Sequence, residues 1–171
     1  EDVFSGFELF VVGLCFKVLL ADQLAPLWAS LERIGYEYLS TPLAWLGAVS
    51  YSLQLYFDFS GYSLMAMGLG QMLALPVPRN FDLPYTARSV SEFYRRWHIT
   101  LGTWFRDYVY IPLGGSRNGN ARTVLSLTVV WFFTGLWHGA SWNFVLWGLY
   151  YFVLLMLDRL FWQKLFDKLP K

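Results

Sequence analysis

The amino-acid sequence predicts an all-α, polytopic transmembrane protein that also contains one re-entrant or interfacial amphipathic helix. Of its 171 residues, 56% are hydrophobic and 20% aromatic, whereas 15% are charged, and the mean hydropathy is +0.39. Soluble domains carry about 25% charged residues. A surface this apolar is not tolerated by water in a monomer, so lipid is the expected solvent.

The distribution of charge predicts the orientation of the chain. Seven arginines fall in one stretch between apolar segments: Arg79, Arg88, Arg95, Arg96, Arg106, Arg117 and Arg122. By the positive-inside rule this stretch is expected to face the cytoplasm. The net charge of +1 gives no case for nucleic acid, and a single cysteine excludes a disulfide framework. The sequence opens on Glu1 without a signal-peptide pattern, so we expect a single membrane domain over 1–171 that is a fragment of a longer protein.

The first predicted span covers 4–28, which is long enough to cross about 30 Å of hydrocarbon. Lys17 and Asp22 interrupt it. Residues five apart lie about 140° from each other around an α-helix, which disfavours a direct pair. We therefore expect Lys17 to extend to the interface or to face a neighbouring helix.

The second apolar stretch, 42–75, is too long for one plain span, because a helix of this length would reach about 51 Å. Such a stretch is expected either to tilt steeply or to break. The break is predicted within the segment 56–62, where Gly61 loosens the helix and Asp58 or Ser60 caps a restarted one.

An amphipathic helix is predicted over about 89–110. Ser89 and Glu92 form a capping-box pattern at its start, and Pro112 follows its end. One face carries an apolar stripe. The other face is expected to present Ser91, Arg95, His98, Gly102 and Arg106.

Two further spans are predicted at 123–137 and 140–157, joined by a tight turn. Fifteen helical residues reach about 22 Å, which is less than the bilayer core. The turn at His138 is therefore expected to lie below the membrane surface, where irregular backbone must line a cavity.

His98 and His138 are the candidate catalytic residues, because an ionisable residue at membrane depth indicates function. A neutral His138 can act as a general base, oriented by Trp137, Trp142 and Asn143. The structural alternative is that its ring only bonds a neighbouring carbonyl.

The remaining candidates are substrate-binding residues. Arg95 and Arg106 suit an anionic donor such as a phosphopantetheine thioester, although they also suit lipid headgroups. Asp58 is either a helix cap at the break or a buried polar partner for an arginine or a histidine. No cysteine pair, P-loop or nucleophile elbow is present, and no metal site is expected.

The sequence resembles the bacterial alginate O-acetyltransferase type of the membrane-bound O-acyltransferase (MBOAT) family. The resemblance rests on the runs 91–101 and 104–115, supported by 56–63 upstream and by 133–140 with Trp142 and Asn143 downstream. One departure is Leu64, where the family pattern often has an acidic residue.

The resemblance implies acyl transfer through a membrane-embedded tunnel, with His138 as the hallmark catalytic residue and His98 close to the reaction centre. It implies an acyl thioester co-substrate such as acetyl-CoA or an acyl carrier, and no bound cofactor. It also implies a multi-pass protein of the bacterial inner membrane. The implied partners are an exported polysaccharide and an extracytoplasmic acetyltransferase carrying an acceptor serine.

Besides a purely structural subunit, in which both histidines would tolerate glutamine, two alternatives stay open. One is D-alanyl transfer to teichoic acid, although the run 110–115 favours the alginate type. The other is a transporter or channel in which the histidines and Asp58 relay protons or bind solute.

Overall fold

The computed structural model describes residues 2–162, and the side chains of residues 3–160. Regular secondary structure in this part of the chain is helical, apart from one isolated β-bridge between Phe81 and Trp97, and the predicted all-α class is confirmed. The chain divides into two compact units, Glu1–Asn80 and Phe81–Lys171.

Seven α-helices organise the described residues. They are α1 (Asp2–Cys15), α2 (Asp22–Ile34), α3 (Thr41–Met72), α4 (Val90–Arg96), α5 (Ile99–Phe105), α6 (Gly119–His138) and α7 (Trp142–Leu157). Three π-helical segments lie at Phe16–Ala21, Arg106–Tyr110 and Asp158–Trp162, and short 3-10 turns at Tyr36–Tyr38 and Pro84–Thr86. Two helical stretches, Val3–Ile34 and Trp142–Leu160, are long and apolar enough to cross a bilayer.

The predicted break within 56–62 is wrong, because α3 continues through it as one helix. Gly61 serves helix packing instead: a Cβ at this position would lie 2.7 Å from the backbone oxygen of Gly13 on α1. Ser60 caps nothing, since its hydroxyl donates to the Tyr56 carbonyl one turn earlier in the same helix, at 2.6 Å. Small residues let two helices approach closely in a membrane, and this approach explains the glycine.

The expectation that a direct pair between Lys17 and Asp22 is disfavoured is also wrong. The segment Phe16–Ala21 is π-helical, and its i to i+5 hydrogen bonds place residues five apart above one another. The Lys17 ammonium therefore lies 2.7 Å from Asp22 Oδ1. It also lies 2.7 Å from Asp58 Oδ1 on α3, which confirms that Lys17 faces a neighbouring helix.

The helix start predicted at Ser89 is confirmed. Its hydroxyl accepts a hydrogen bond from the Glu92 N–H at 3.1 Å, which caps α4. The Glu92 carboxylate reaches one residue further back than a capping box requires and accepts from the Arg88 N–H at 2.8 Å. This bond and the Arg96 guanidinium hold the pKa of Glu92 below its usual value.

The single helix predicted over 89–110 is interrupted. Trp97 is extended and His98 is left-handed, with φ 49° and ψ 54°, so α4 ends and α5 begins afresh. A bond from the Asp82 N–H to the Arg96 carbonyl, 3.0 Å long, ties this break to an earlier part of the unit. The predicted polar face is therefore divided between two helices.

Helix α6 is longer than predicted, because it begins at Gly119 and includes His138 as its last residue. Its 20 residues reach about 30 Å, so a short span no longer explains a sunken turn. Helix α7 crosses α6 closely at two glycines. A Cβ at Gly148 would lie 3.1 Å from the backbone of Gly135.

Candidate active site

A hydrogen bond within α6 determines that the Nδ1 atom of His138 carries a proton. Its Nδ1 lies 2.7 Å from the carbonyl oxygen of Thr134, one turn earlier in the same helix. A carbonyl oxygen only accepts, so Nδ1 carries the proton and donates it. The Nε2 atom of the neutral ring then keeps its lone pair and is available as a base.

Two tryptophans flank the His138 ring. The Trp137 ring lies 4.9 Å from it, edge to face, and the Trp147 ring of α7 lies 4.9 Å away on another side. These contacts restrict the imidazole between two large apolar surfaces. Trp137, which is predicted to orient His138, thus lies in contact with its ring.

His98 adopts the left-handed conformation because it joins two helices, and its side chain caps the second one. Its Nδ1 accepts the backbone N–H of Leu101 at 3.3 Å. An accepting Nδ1 has no proton, so the neutral ring carries its proton on Nε2. Burial lowers the pKa of His98, and the proximity of His138 lowers it further, which favours this neutral form.

The two predicted catalytic residues lie in one unit, and Trp137 contacts both. The His98 and Trp137 ring centres are 5.9 Å apart. Because the Nδ1 atom donates in His138 and accepts in His98, the two Nε2 atoms differ in chemistry. The Nε2 of His138 can accept a proton, and the Nε2 of His98 can donate a hydrogen bond.

The two candidate arginines lie on different helical segments. Arg95 is exposed near the end of α4. Arg106 begins the π-helical segment after α5, and its guanidinium lies 2.7 Å from the carboxylate of Asp107. Arg106 and Arg117 both line a cavity of about 240 Å³.

The other two candidates belong to different units. Asp58 belongs to the first unit, inside α3, where its carboxylate pairs with Lys17 and is 46% exposed. Neither predicted role is observed, because no helix restarts at Asp58 and its partner is a lysine rather than an arginine or a histidine. Asn143 lies exposed in the first turn of α7. The α7 residue that contacts His138 is Trp147 rather than Asn143 or Trp142.

Three residues of this unit were missed by sequence reasoning. Thr134 contributes only its backbone oxygen, which no side-chain pattern reveals. Trp147 is one of nine tryptophans, and nothing in its spacing marks it out. Asp158 had a signal, because it is a lone acidic residue at the end of the last apolar run, but it fell just outside the predicted span.

Among the described residues, no group of three or more His, Cys, Asp or Glu side chains is arranged to hold a metal ion.

The chain is similar to several proteins whose names describe acyl transfer. The probable alginate O-acetylase AlgI of Azotobacter vinelandii is 46% identical over 155 residues, which are 91% of this chain and 31% of that protein. The peptidoglycan O-acetyltransferase of Helicobacter pylori is 42% identical over 162 residues, covering 93% of this chain and 30% of that protein. The chain thus spans about a third of the length of these relatives.

A more distant relative transfers a different group. The teichoic acid D-alanyltransferase of Bacillus subtilis is 26% identical over 178 residues, which are 98% of this chain and 45% of that protein. The model of the membrane-bound O-acyltransferase family matches residues 6–168. With nearly its whole length matched, and with the same segments aligned to acetyl- and alanyl-transferring relatives, this chain belongs to the membrane-bound O-acyltransferase family.

Proposed function

We propose that this chain forms the histidine-bearing part of a membrane O-acyltransferase. The enzyme moves an acetyl group from a cytoplasmic acyl thioester toward hydroxyl groups of an exported polysaccharide such as alginate. The observation that carries the proposal is the hydrogen bond from His138 Nδ1 to the Thr134 carbonyl, because it leaves Nε2 basic. The 46% identity to an alginate O-acetylase supports acetyl as the transferred group.

His138 acts as the general base in this mechanism. Its Nε2 accepts the proton of the acceptor hydroxyl while the hydroxyl oxygen attacks the thioester carbonyl carbon. The tetrahedral intermediate then collapses, the C–S bond breaks, and the leaving sulfur takes the proton back from Nε2. The histidine is regenerated neutral, and one ester and one thiol replace one thioester and one alcohol.

His98 stabilises the charge that develops during the attack. Its Nε2–H is a hydrogen-bond donor, and an oxyanion needs donors that are already oriented. Capping of α5 holds the ring without a further ordering cost. Backbone N–H groups near Gly139 are the second source of donors.

The donor approaches from the arginine-rich side, where Arg95 and Arg106 attract an anionic thioester such as acetyl-CoA or an acyl carrier. The acceptor approaches from the opposite side, either as polysaccharide or as the serine of an extracytoplasmic partner protein. This arrangement requires an enzyme that lies in the bacterial inner membrane and crosses it several times.

The test is polymer acetylation in cells that express the full-length protein with His138→Ala. Loss of a general base is expected to lower the acetylation rate on the order of 10²- to 10⁴-fold at unchanged membrane abundance. The matched control is Thr128→Ala, also on α6, whose hydroxyl bonds only the Val124 carbonyl of its own helix. Acetylation retained by His138→Ala would overturn the base assignment and favour a transporter or channel.

The nature of the transferred group is tested on the same cells by mild alkaline release from the polymer. Acetate is expected. D-alanine would instead assign the chain to the teichoic acid branch, to which the 26% identical relative belongs.

A further inference from the structure

The acidic side chain at the end of α7 is among the most enclosed in the described part of the chain. Asp158 is 1% exposed, and it begins the π-helical segment that follows α7. A buried carboxylate is costly unless hydrogen bonds compensate it. The partners of Asp158 therefore indicate what it does.

Both observed hydrogen bonds to Asp158 come from one residue in the first turn of α4. Its Oδ2 accepts the backbone N–H of Ser91 at 3.0 Å and the hydroxyl of Ser91 at 2.6 Å. The two residues are 67 positions apart in the sequence. The carboxylate thus satisfies a backbone N–H that α4 cannot satisfy itself, and it fixes α4 to the end of α7.

The two helices joined in this way carry the surroundings of the two histidines. Helix α4 leads directly to His98, and α7 carries Trp147, whose ring lies 4.9 Å from that of His138. Trp147 precedes Asp158 by about three helical turns. Helix α7 therefore contacts His138 near its start and holds the segment bearing His98 at its end.

A second contact fixes the same segment. The Tyr94 ring of α4 packs edge to face against Trp131 of α6, at 4.6 Å, and against Tyr151 of α7, at 5.2 Å. Aromatic contacts hold α4 against both helices, but they tolerate sliding. The two hydrogen bonds at Ser91 fix its position along α7, because hydrogen bonds depend steeply on distance and angle.

We propose that Asp158 is a positioning residue, which holds the α4 segment through Ser91 and thereby sets where His98 lies relative to His138. This inference rests on the proposed function, since it assumes that both histidines take part in acyl transfer. Displacing a reacting group by about 1 Å costs on the order of 10²-fold in rate. Loss of the Asp158–Ser91 bonds is therefore expected to lower turnover without removing any group that touches substrate.

The experiment compares four variants of the full-length protein in cells: Asp158→Ala, Asp158→Asn, Ser91→Ala and Ser91→Thr. The readouts are the initial rate of polymer acetylation, membrane abundance and the thermal midpoint in detergent. Asp158→Ala removes both hydrogen bonds and should lower the rate at least about 10-fold. Ser91→Ala removes the hydroxyl bond but keeps the N–H bond, so it should lower the rate less than Asp158→Ala does but by more than about 3-fold. Asparagine keeps an acceptor oxygen and threonine keeps the hydroxyl, so both conservative variants should stay within about 3-fold of the parent.

Abundance and midpoint separate positioning from a structural role. We expect rates to fall at unchanged abundance, and the double alanine variant to be no slower than Asp158→Ala alone, because the two residues share one interaction. Activity that falls only in proportion to abundance, or that conservative variants fail to rescue, would overturn the proposal. If Asp158→Ala does not accumulate, the Ser91→Ala and Ser91→Thr pair decides.

His138→Ala in the same series distinguishes failure of the inference from failure of the proposed function. An inactive His138→Ala with fully active Asp158 and Ser91 variants would refute the positioning role and leave the function intact. An active His138→Ala would refute the base assignment itself.

Discussion

Gly148→Ala is the most direct test of how tightly α6 and α7 must pack around His138. A Cβ at Gly148 would lie 3.1 Å from both the Cα and the backbone nitrogen of Gly135, and closer still to the Trp131 carbonyl oxygen. Ordinary contacts begin near 3.4 Å, so the overlap with Gly135 is 3.4 − 3.1 = 0.3 Å. The overlap with Trp131 is larger, and all the atoms involved belong to the backbone, so the helices must separate.

The expected magnitude has two opposing parts. Overpacking costs about 1–3 kcal/mol, whereas alanine gains roughly 0.5–1 kcal/mol over glycine inside a helix. The free energy of unfolding should therefore fall by about 1–2 kcal/mol. The ring of Trp147, the residue before Gly148, should move away from His138. The acetylation rate should therefore fall by a larger factor than the amount of folded protein does.

The assay pairs denaturant unfolding of the purified full-length protein with polymer acetylation in cells. The matched control is Gly102→Ala in α5, because a Cβ there meets only the Tyr94 backbone oxygen, at 3.9 Å. The free energy of unfolding of this control should rise by roughly 0.5–1 kcal/mol, whereas that of Gly148→Ala should fall. Equal stability and activity of Gly148→Ala and the parent protein would refute the packing argument.

Two further predictions concern charge. Lys17→Met leaves the carboxylates of Asp22 and Asp58 without their shared cation inside a stretch that can cross the bilayer, so the free energy of unfolding should fall by at least about 1 kcal/mol. Adding Asp58→Asn should recover part of this loss, and equal thermal midpoints for the single and double variants would contradict the prediction. Burial holds the pKa of His98 below 6.5, so the unfolded chain binds a proton at His98 more readily than the folded chain does, and the free energy of unfolding should fall as the pH drops below 6.5. His98→Gln should reduce the dependence of the free energy of unfolding on pH in this range. An unchanged dependence would argue against a buried neutral ring.

Features encoded by neighbouring residues could be predicted from the sequence. The apolar runs predicted the main helices. The spacing of three residues between Ser89 and Glu92 predicted the helix cap at the start of α4, where the Ser89 hydroxyl accepts the Glu92 N–H. The two histidines were singled out by their scarcity and their place between apolar spans. The structure brings both into contact with Trp137, within one unit.

Features that depend on distant residues or on helix pitch could not be predicted. A π-helical segment has the same composition as an α-helical one, so the approach of Lys17 to Asp22 was not visible. The left-handed turn at His98 accompanies an antiparallel bridge between Phe81 and Trp97, and no local glycine or proline marks it. Gly61 suggested a helix break because the backbone freedom of glycine can be inferred from the sequence alone. Its close contact with Gly13 of α1 depends on the fold and cannot be inferred in this way.

The hydrogen bonds that assign the protons of the two imidazoles have an unusual genetic property. One partner is the Thr134 carbonyl and the other is the Leu101 N–H, so both belong to the main chain. Almost any amino-acid substitution at position 134 or 101 leaves these atoms in place. Saturation mutagenesis would therefore not detect that these main-chain atoms determine which nitrogen of each histidine carries the proton. Proline at position 101 is the exception, since it removes the N–H. Replacing that amide by an ester through chemical synthesis would make the contribution of the main chain measurable.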